Sequence, residues 1–281
     1  MFSHEKKRLK VAILDLNAGM ENQGMRCIRD ILKDFGETHD IDLVWEEFEV
    51  RIAQQLPGLN YDLFISSGGP GSPLESENSE WENKYFDWIE SVMEFNSSED
   101  QRTKKPVLFI CHSFQLACRY FKVANVVKRK STAFGVFSVH MLHDAKQEPI
   151  FAGLNDPFYA VDSRDYQVVQ PDYKKLRKLG ATLLCIEKER PHVALERAIM
   201  AIRFNDEMIG TQFHPEADPV GMTMYLQRQD KKTTVIDNHG FEKWQSMIAQ
   251  LNDPEKIRST YSHIIPNFLS YAIEQTVAVQ A

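Results

Sequence analysis

The sequence predicts an α/β protein built around a mostly parallel β-sheet. In the first half of the chain, strand-like segments, most of them almost wholly apolar, recur at 10–16, 43–48, 61–66 and 106–110. Continuous apolar runs of this length are typical of strands that are covered on both faces, as in a parallel sheet. Segments with apolar residues at helical spacing lie between them, at 22–35 and 77–95. This alternation of strands and helices is the pattern of βαβ units.

The second half of the chain predicts antiparallel edge strands, followed by helices. Further segments with strand character lie at 133–142, 158–161, 182–186, 198–204 and 208–213. Three helical regions follow, at 220–229, 241–251 and 257–278, the last of them broken at Pro266. We therefore expect an α/β domain over residues 1–222 and a C-terminal helical extension, residues 223–281, packed on it.

Length and charge fit one large folded unit and exclude several kinds of partner. With 281 residues, of which 43% are hydrophobic, the chain can bury a substantial core. Its net charge of −7 gives no electrostatic basis for binding nucleic acid or an anionic membrane surface. The short basic cluster Lys128–Lys130 is interpreted as a solvated loop. No apolar run approaches the roughly 20 residues that span a bilayer, and the polar start shows no secretory signal.

The cysteine pattern predicts a reduced, cytoplasmic protein. Cys27, Cys111, Cys118 and Cys185 form no C-x-x-C pair, so neither a disulfide framework nor a zinc site is expected. The glycine motifs that bind nucleotide phosphates do not occur in the sequence either. We therefore expect neither a metal nor a cofactor.

Cys111 occupies a position where a nucleophile is useful in such a sheet. It follows the apolar segment 106–110 and precedes the helical segment 112–121, so it lies at a strand-to-helix turn. Such a turn lifts the side chain clear of the sheet, and the N-terminus of the following helix favours a thiolate. A buried structural cysteine is the alternative at this position.

Two other stretches supply the groups that a thiolate nucleophile needs. The glycine-rich segment 67–73 follows a predicted strand, and its N–H groups can form an oxyanion hole or an anion nest, or simply a turn. His214 and Glu216 come directly after the last predicted strand and can act as a base and its orienting carboxylate. Because an open α/β sheet binds its ligands at the carboxyl ends of strands, these stretches together with Cys111 predict an active site.

The same three stretches resemble the class I glutamine amidotransferase family, of the triad type, over roughly residues 10–218. The similar segments are 67–73 (Ser-Gly-Gly-Pro-Gly-Ser-Pro), 110–115 (Ile-Cys-His-Ser-Phe-Gln) and 210–216 (Gly-Thr-Gln-Phe-His-Pro-Glu). Within the family, the first and last of these are most similar to the glutaminase part of GMP synthase. The resemblance implies a flavodoxin-like, three-layer fold and hydrolysis of the side-chain amide of glutamine.

The resemblance also implies a role for each matching residue. Cys111 would form a γ-glutamyl thioester, His214 would protonate the leaving ammonia, and Glu216 would orient His214. Gly69 and His112 would donate backbone N–H groups to the oxyanion. The other implied substrate-binding positions are Gly68, Gly71 and Gln115. Ammonia would pass to a separate synthetase subunit or to another acceptor, and the helical extension is a candidate docking or homodimer surface.

Two features depart from the family pattern. The family usually has glycine two residues before and two residues after the nucleophile, whereas this chain has Phe109 and Ser113. We therefore expect the elbow or the pocket to differ. Many members also carry a histidine-containing turn where this chain has the segment Asp162–Asp165.

Two other functions stay open on the sequence. A homoserine O-acyltransferase, of the related succinyltransferase family, would pass an acyl group from the cysteine to a hydroxyl instead of to water. Segments 135–137, 159–168 and 261–271 resemble that family, whereas the glycine-rich loop favours the amidotransferase. The other possibility is a catalytically silent binding module with the same fold, which Phe109 and Ser113 favour.

Overall fold

A nine-stranded mixed sheet forms the middle layer of the protein. The structure, a computed structural model, describes residues 6–99, 101, 103–190, 195–251, 253 and 256–277. Its strands are β1 (Arg8–Asp15), β2 (Asp42–Glu49), β3 (Leu63–Ser66), β4 (Val107–Ile110), β5 (Asn125–Met141), β6 (Phe158–Val169), β7 (Thr182–Glu187), β8 (Ile199–Arg203) and β9 (Met208–Thr211). Their order across the sheet is β2-β1-β3-β4-β9-β8-β7-β5-β6.

The sheet has a parallel half and an antiparallel half. The neighbours from β2 to β9 pair in parallel, and the remaining neighbours from β9 to β6 are antiparallel. The predicted α/β fold with a parallel sheet and antiparallel additions is therefore confirmed. Strands β3, β4 and β9 are adjacent, so their carboxyl ends bring together the three stretches that the sequence singled out.

Eight helices surround the sheet within the described residues. They are α1 (Gln23–His39), α2 (Glu80–Ser97), α3 (His112–Phe121), α4 (Tyr173–Leu179), α5 (Pro219–Gln227), α6 (Gln229–His239), α7 (Phe241–Leu251) and α8 (Ile257–Val277). The side chains of Asn22, Ser79, Asp172 and Asp218 cap the first turns of α1, α2, α4 and α5. None of these helices combines the length and apolar character needed to cross a membrane.

Two layers of helices cover the two faces of the sheet. Along β1, Leu9, Val11 and Ile13 face a cluster formed with α1 and α8. Ala12 and Leu14 alternate with them and face a second cluster formed with α2 and α3. A smaller cluster joins α5, α6 and α7 to the hairpin of β5 and β6. The result is the three-layer arrangement that the sequence predicted.

Two expectations about elements were wrong, and two helices were not expected. Helix α8 runs through Pro266 without a break, because Ile265 and Phe268 on either side of the proline are buried in the core and hold the helix together. The basic cluster Lys128–Lys130 lies in β5, where Lys128 pairs with Tyr166, and not in a loop. The sequence analysis also missed α4 and α6, which are a short helix and a helix of weak amphipathic pattern.

The C-terminal helices are not all peripheral. The boundary expected at residue 222 falls inside α5, whose side chain Leu226 packs under the β5–β6 hairpin. Helix α8 contributes Ile264, Phe268 and Leu269 to the same cluster as α1 and β1. This helix is therefore part of the principal core.

Candidate active site

Cys111 forms a strained elbow between β4 and α3. Its backbone angles are φ 50° and ψ −97°, a region that residues with a Cβ atom rarely occupy. The Cys111 N–H donates to Thr211 O at 2.8 Å, and its carbonyl accepts from the Gln115 N–H at 3.0 Å. These two bonds fix the elbow between β9 and the first turn of α3. Such a conformation at a strand-to-helix turn is the mark of a nucleophile elbow.

Phe109, the first departure from the family pattern, lies on the face of the sheet that α2 and α3 cover, opposite the cluster that contains Cys111. Its ring is fully buried in the cluster of α2 and α3, and it meets Phe204 edge to face at 6.0 Å between ring centroids. Gly210 is its partner in the neighbouring strand β9. A Cβ atom at Gly210 would lie 2.6 Å from Phe114 and 3.2 Å from the Cβ of Phe109. The glycine on β9 therefore leaves room for the side chains of Phe109 and Phe114.

Ser113, the second departure, takes part in the elbow through its hydroxyl group. Ser113 Oγ accepts from the Ile110 N–H at 2.8 Å and lies 2.8 Å from Ser66 O, to which it can donate. The side chain is fully buried. The serine therefore ties the end of β3 to the end of β4, directly below the nucleophile.

His214 and Glu216 form a buried pair beside Cys111. His214 Nδ1 lies 2.7 Å from Glu216 Oε1, and the two side chains are 20% and 4% exposed. The His214 N–H donates to Val161 O at 2.8 Å, so β6 fixes its backbone. Burial lowers the pKa of His214, but Glu216 and the Cys111 sulfur outweigh it and raise the pKa well above its ordinary value. The carboxylate therefore favours the charged form of the imidazole and holds its Nδ1 atom.

The N-terminus of α1 supports the Glu216 carboxylate. A Cβ atom at Gly24 would lie 3.0 Å from Glu216 Oε1, the oxygen that holds His214. Glu216 is only 3% exposed, and its other oxygen, Oε2, has no hydrogen-bond partner among the described residues. The unpaired N–H groups and the dipole at a helix N-terminus favour a negative charge. The first turn of α1 therefore limits the position of the carboxylate.

The glycine-rich loop approaches Cys111 and His214 through Gly68. A Cβ atom at Gly68 would lie 2.9 Å from His214 Cε1 and 3.5 Å from Cys111 Cβ, and one at Gly69 would lie 2.3 Å from Leu16 O. Both positions thus require glycine because of close contacts. Gly71 lies exposed further along the loop, at φ +89°. Among the described residues, a Cβ atom there would have only the Arg51 guanidinium within 4 Å. The structure therefore brings Gly68 to the nucleophile but not Gly71.

His112 and Gln115 lie on the first turn of α3. His112 is buried, and its N–H is among the four that a helix leaves unpaired at its start. Burial, together with Arg51 and Arg119, lowers the pKa of the His112 side chain to about 3, so this histidine stays neutral and does not replace His214 as the base. Gln115 is buried with its Nε2 atom 3.1 Å from Gln212 Oε1.

Strand β6 closes the other side of the sulfur. Ser163 O lies 3.9 Å from Cys111 Sγ. The next residue, Arg164, is buried and donates from Nε to both oxygens of Asp162, at 2.8 and 2.9 Å. Its Nη2 atom also lies 3.6 Å from Glu187. A buried ion pair with these partners holds rigid the segment that departs from the family's histidine-containing turn.

Two residues of this site do not stand out in the sequence. Gln212 lies within the 210–216 motif, and its Nε2 atom lies 3.8 Å from Cys111 Sγ. Gly24 was read only as part of a helix; its position two residues after the cap Asn22 was the available signal. In the described part of the chain, no group of three or more His, Cys, Asp or Glu side chains is placed to hold a metal ion.

The family model described as glutamine amidotransferase class-I matches residues 20–233. That range includes Cys111, His214 and Glu216 and most of the chain. This protein belongs to the class I glutamine amidotransferase family. The family that the three motifs indicated is thereby confirmed.

Solved structures of amidotransferases have the same fold as this family member. A glutamine amidotransferase from Thermotoga maritima superposes with a TM-score of 0.67 over 95% of this chain and 98% of its own, at 15% identity. A glutamine amido transferase from Methylobacillus flagellatus gives a TM-score of 0.62 over 96% of both chains, at 14% identity. At these identities the likeness concerns the fold alone.

Curated relatives of this family member carry a different activity name. The homoserine O-acetyltransferase of Phocaeicola vulgatus is 26% identical over 142 residues, which cover 50% of this chain and 39% of the relative. The homoserine O-acetyltransferase of Petrotoga mobilis is 24% identical over 197 residues, which cover 70% of this chain and 56% of the relative. The chain thus spans less than two thirds of the length of either relative.

Proposed function

We propose that this amidotransferase hydrolyses the side-chain amide of glutamine through a thioester on Cys111 and supplies the ammonia to an acceptor or a synthetase. The observation that carries the proposal is the pairing of His214 with Glu216 at 2.7 Å, beside a cysteine on a strained elbow. This arrangement provides a nucleophile, a proton donor and a group that orients the donor.

Acylation uses the charged form of His214. The Cys111 thiolate attacks the side-chain carbonyl carbon of glutamine, and the carbonyl oxygen becomes an oxyanion. The N–H groups of Gly69 and His112 stabilise this oxyanion in the proposal. The C–N bond breaks as His214 gives its proton to the leaving nitrogen, so that ammonia departs and a γ-glutamyl thioester remains.

Deacylation returns the enzyme to its starting state. Neutral His214 takes a proton from a water molecule, whose oxygen attacks the thioester carbonyl. The C–S bond breaks, glutamate leaves, and Cys111 is again a thiolate next to a charged imidazole. Glu216 keeps Nδ1 of His214 in place through both steps, and therefore orients the base without forming a bond to the substrate.

The experiment is labelling with a glutamine-like diazo-ketone, followed by intact mass and peptide mapping, alongside an ammonia-release assay with glutamine. We expect one adduct, on Cys111, that excess glutamine prevents. Cys111→Ala and His214→Ala should each lower turnover at least about 10³-fold. Glu216→Ala should be less severe, because the residue only orients the base.

Cys118→Ala is the matched control. Cys118 lies on α3 near the nucleophile but is fully buried, and burial raises the pKa of its thiol well above the ordinary value. It should therefore be neither labelled nor needed for turnover. Full activity of Cys111→Ala would refute the mechanism. A folded wild-type protein that neither binds the label nor releases ammonia would favour a silent binding module.

Acyl transfer to homoserine is the second candidate, because both curated relatives are homoserine O-acetyltransferases. In this reaction the Cys111 thiolate would attack the carbonyl of an acyl-CoA, and His214 would protonate the leaving CoA thiolate. His214 would then take the proton of the homoserine hydroxyl as its oxygen attacks the thioester carbonyl. The C–S bond would break, which releases the O-acyl homoserine and returns Cys111 to the thiolate. Incubation with acetyl- or succinyl-CoA and homoserine, without glutamine, tests this candidate. Release of free CoA that requires homoserine would replace the glutaminase proposal.

A further inference from the structure

Gln212 places its side-chain amide beside the nucleophile. The residue is fully buried between β9 and His214. Its Nε2 atom lies 3.8 Å from Cys111 Sγ, and its Oε1 atom lies 3.1 Å from Gln115 Nε2. Its backbone N–H donates to Met200 O at 2.8 Å and so fixes the residue to β8. Contacts of its side-chain amide and of its backbone therefore hold Gln212 in place.

A backbone carbonyl determines which end of the Gln212 amide faces the sulfur. Tyr166 O can only accept, and it lies 3.3 Å from Gln115 Nε2. With one N–H of Gln115 directed at that carbonyl, the other donates to an acceptor, which is Gln212 Oε1. The oxygen of Gln212 is thereby used, and its nitrogen is the atom directed at Cys111 Sγ. The carbonyl of Tyr166 thus orients two amides in series.

We propose that Gln212 is a further catalytic residue, which donates a hydrogen bond from Nε2 to the Cys111 thiolate and keeps it charged. This rests on the proposed function, in which Cys111 is the nucleophile. A thiol can instead donate to Ser163 O, 3.9 Å away, whereas only the thiolate profits fully from an N–H donor. Hydrogen bonds to a charged acceptor are about twice as strong as neutral ones, and more so where water is excluded.

The same donor acts at both ends of the reaction. It stabilises the thiolate before attack and again when the sulfur leaves during deacylation.

The arrangement also determines which atom of Gln115 can contact a substrate. Both N–H groups of Gln115 are engaged, by Gln212 and by Tyr166 O, so Gln115 can serve a ligand only as an acceptor. The ligand group opposite Gln115 must then be an N–H or O–H donor.

Two substitutions at Gln212 test the Nε2 donor separately from the Oε1 acceptor of its side-chain amide. Gln212→Glu keeps an oxygen for Gln115 but replaces the nitrogen at the sulfur with a second oxygen. Gln212→Leu removes both polar atoms at similar volume. The readout is the rate of Cys111 alkylation by iodoacetamide over about pH 5–9, which follows the thiolate and needs no glutamine.

We expect the pH of half-maximal alkylation to rise in both variants and the rate at about pH 7 to fall tenfold or more. Gln212→Glu should show the larger fall, because an oxygen repels the thiolate. Gln227→Glu and Gln227→Leu, at an exposed position on α5, are the matched controls and should match the wild-type protein.

The outcomes distinguish this inference from the proposed function. Alkylation profiles of Gln212→Leu and Gln227→Leu that agree within about twofold would overturn the role of Gln212, even if glutamine is hydrolysed normally. A shifted profile in a protein that does not hydrolyse glutamine would support Gln212 and overturn only the glutaminase. If Gln212→Glu fails to fold, the comparison of the two leucine variants decides.

Discussion

At Cys111, backbone strain and side-chain reactivity arise from the same turn. A non-glycine residue in a rarely occupied conformation costs about 1–3 kcal/mol. The bonds to Thr211 O and from the Gln115 N–H hold the residue there, and Ser113 ties the preceding strand to β3. The surrounding sheet therefore maintains the elbow that presents the sulfur to His214.

Some contacts of single residues in the site could be predicted from the sequence, and others could not. Cys111, His214 and Glu216 could be predicted because each follows an apolar strand and carries a reactive group. The placement of Phe109 could not, because it depends on the register that pairs Phe109 with Gly210. The orientation of Gln212 depends in turn on Tyr166 O, a backbone atom of a distant strand. A linear sequence specifies neither contact.

The raised pKa of His214 predicts that the proposed reaction is sensitive to alkaline pH. The imidazolium is present below the folded-state pKa of His214 and is lost as the pH rises through that value. We therefore expect kcat/KM for glutamine to fall at alkaline pH, above the ordinary histidine pKa of about 6.5. Burial opposes this shift, and Glu216 is the first of the groups that cause it. Glu216→Gln should therefore move the alkaline limb to lower pH and lower kcat by roughly 10²-fold, less than the loss expected for His214→Ala.

A pH profile of kcat/KM for the wild-type protein and Glu216→Gln measures this effect. Glu75→Gln, at an exposed position just after the glycine-rich segment 67–73, is the control. It should keep the alkaline limb of the wild-type profile. An unchanged or higher alkaline midpoint in Glu216→Gln would show that Glu216 does not hold the charge of His214.

At the scale of elements, α1 connects the start of the fold to its chemistry. Its first turn packs against Glu216 through Gly24, and Arg26 in the same turn pairs with Asp218 at 2.8 Å. The N-terminus of α1 and the segment after β9 are thus joined on either side of the Glu216 carboxylate. Helix α1 therefore limits the position of a group that the proposed mechanism uses.

Gly24→Ala tests this connection. Alanine normally stabilises a helix interior by up to about 1 kcal/mol relative to glycine. Here the added methyl group would lie 2.7 Å from Asn22 Oδ1 and 3.0 Å from Glu216 Oε1. We expect kcat to fall about tenfold or more, since a small displacement of a group in the proposed mechanism is costly, while KM changes little. The melting temperature should fall by a few degrees, because the methyl group also displaces the cap Asn22.

Lys33→Ala, at an exposed position of the same helix, controls for the effect of alanine on α1. Parallel kinetic and thermal-melt measurements separate the two contributions. Equal kcat values for the two variants would mean that α1 does not position Glu216.

The elements themselves were predictable to different degrees. Strands β1, β3 and β4 stood out because each is covered on both faces and is almost continuously apolar. Helix α6 did not, because its apolar residues form no clear stripe. The break expected at Pro266 was a local rule that tertiary packing overrode, since α8 is held by its burial in the core.

At the scale of the whole molecule, the end of the chain stabilises its beginning. Leu269 on α8 is fully buried in the cluster that contains Ile28 on α1 and Val11 on β1. No periodicity in the sequence indicates which face of the sheet a distant helix will cover. We therefore expect the chain to unfold as one unit and removal of α8 to disrupt the site.

Leu269→Ala should lower the free energy of unfolding by about 2–5 kcal/mol, because it removes a buried side chain and leaves a cavity. Val220→Ala, at a position that is 62% exposed on α5, should change it by no more than about 0.5 kcal/mol. Urea unfolding, followed both by far-UV circular dichroism and by alkylation of Cys111, measures the two variants. Because α8 packs directly on α1, and α1 on Glu216, both probes should report one transition that moves to lower urea in Leu269→Ala. A separate early transition that leaves Cys111 protected would instead show that α8 is an independent extension.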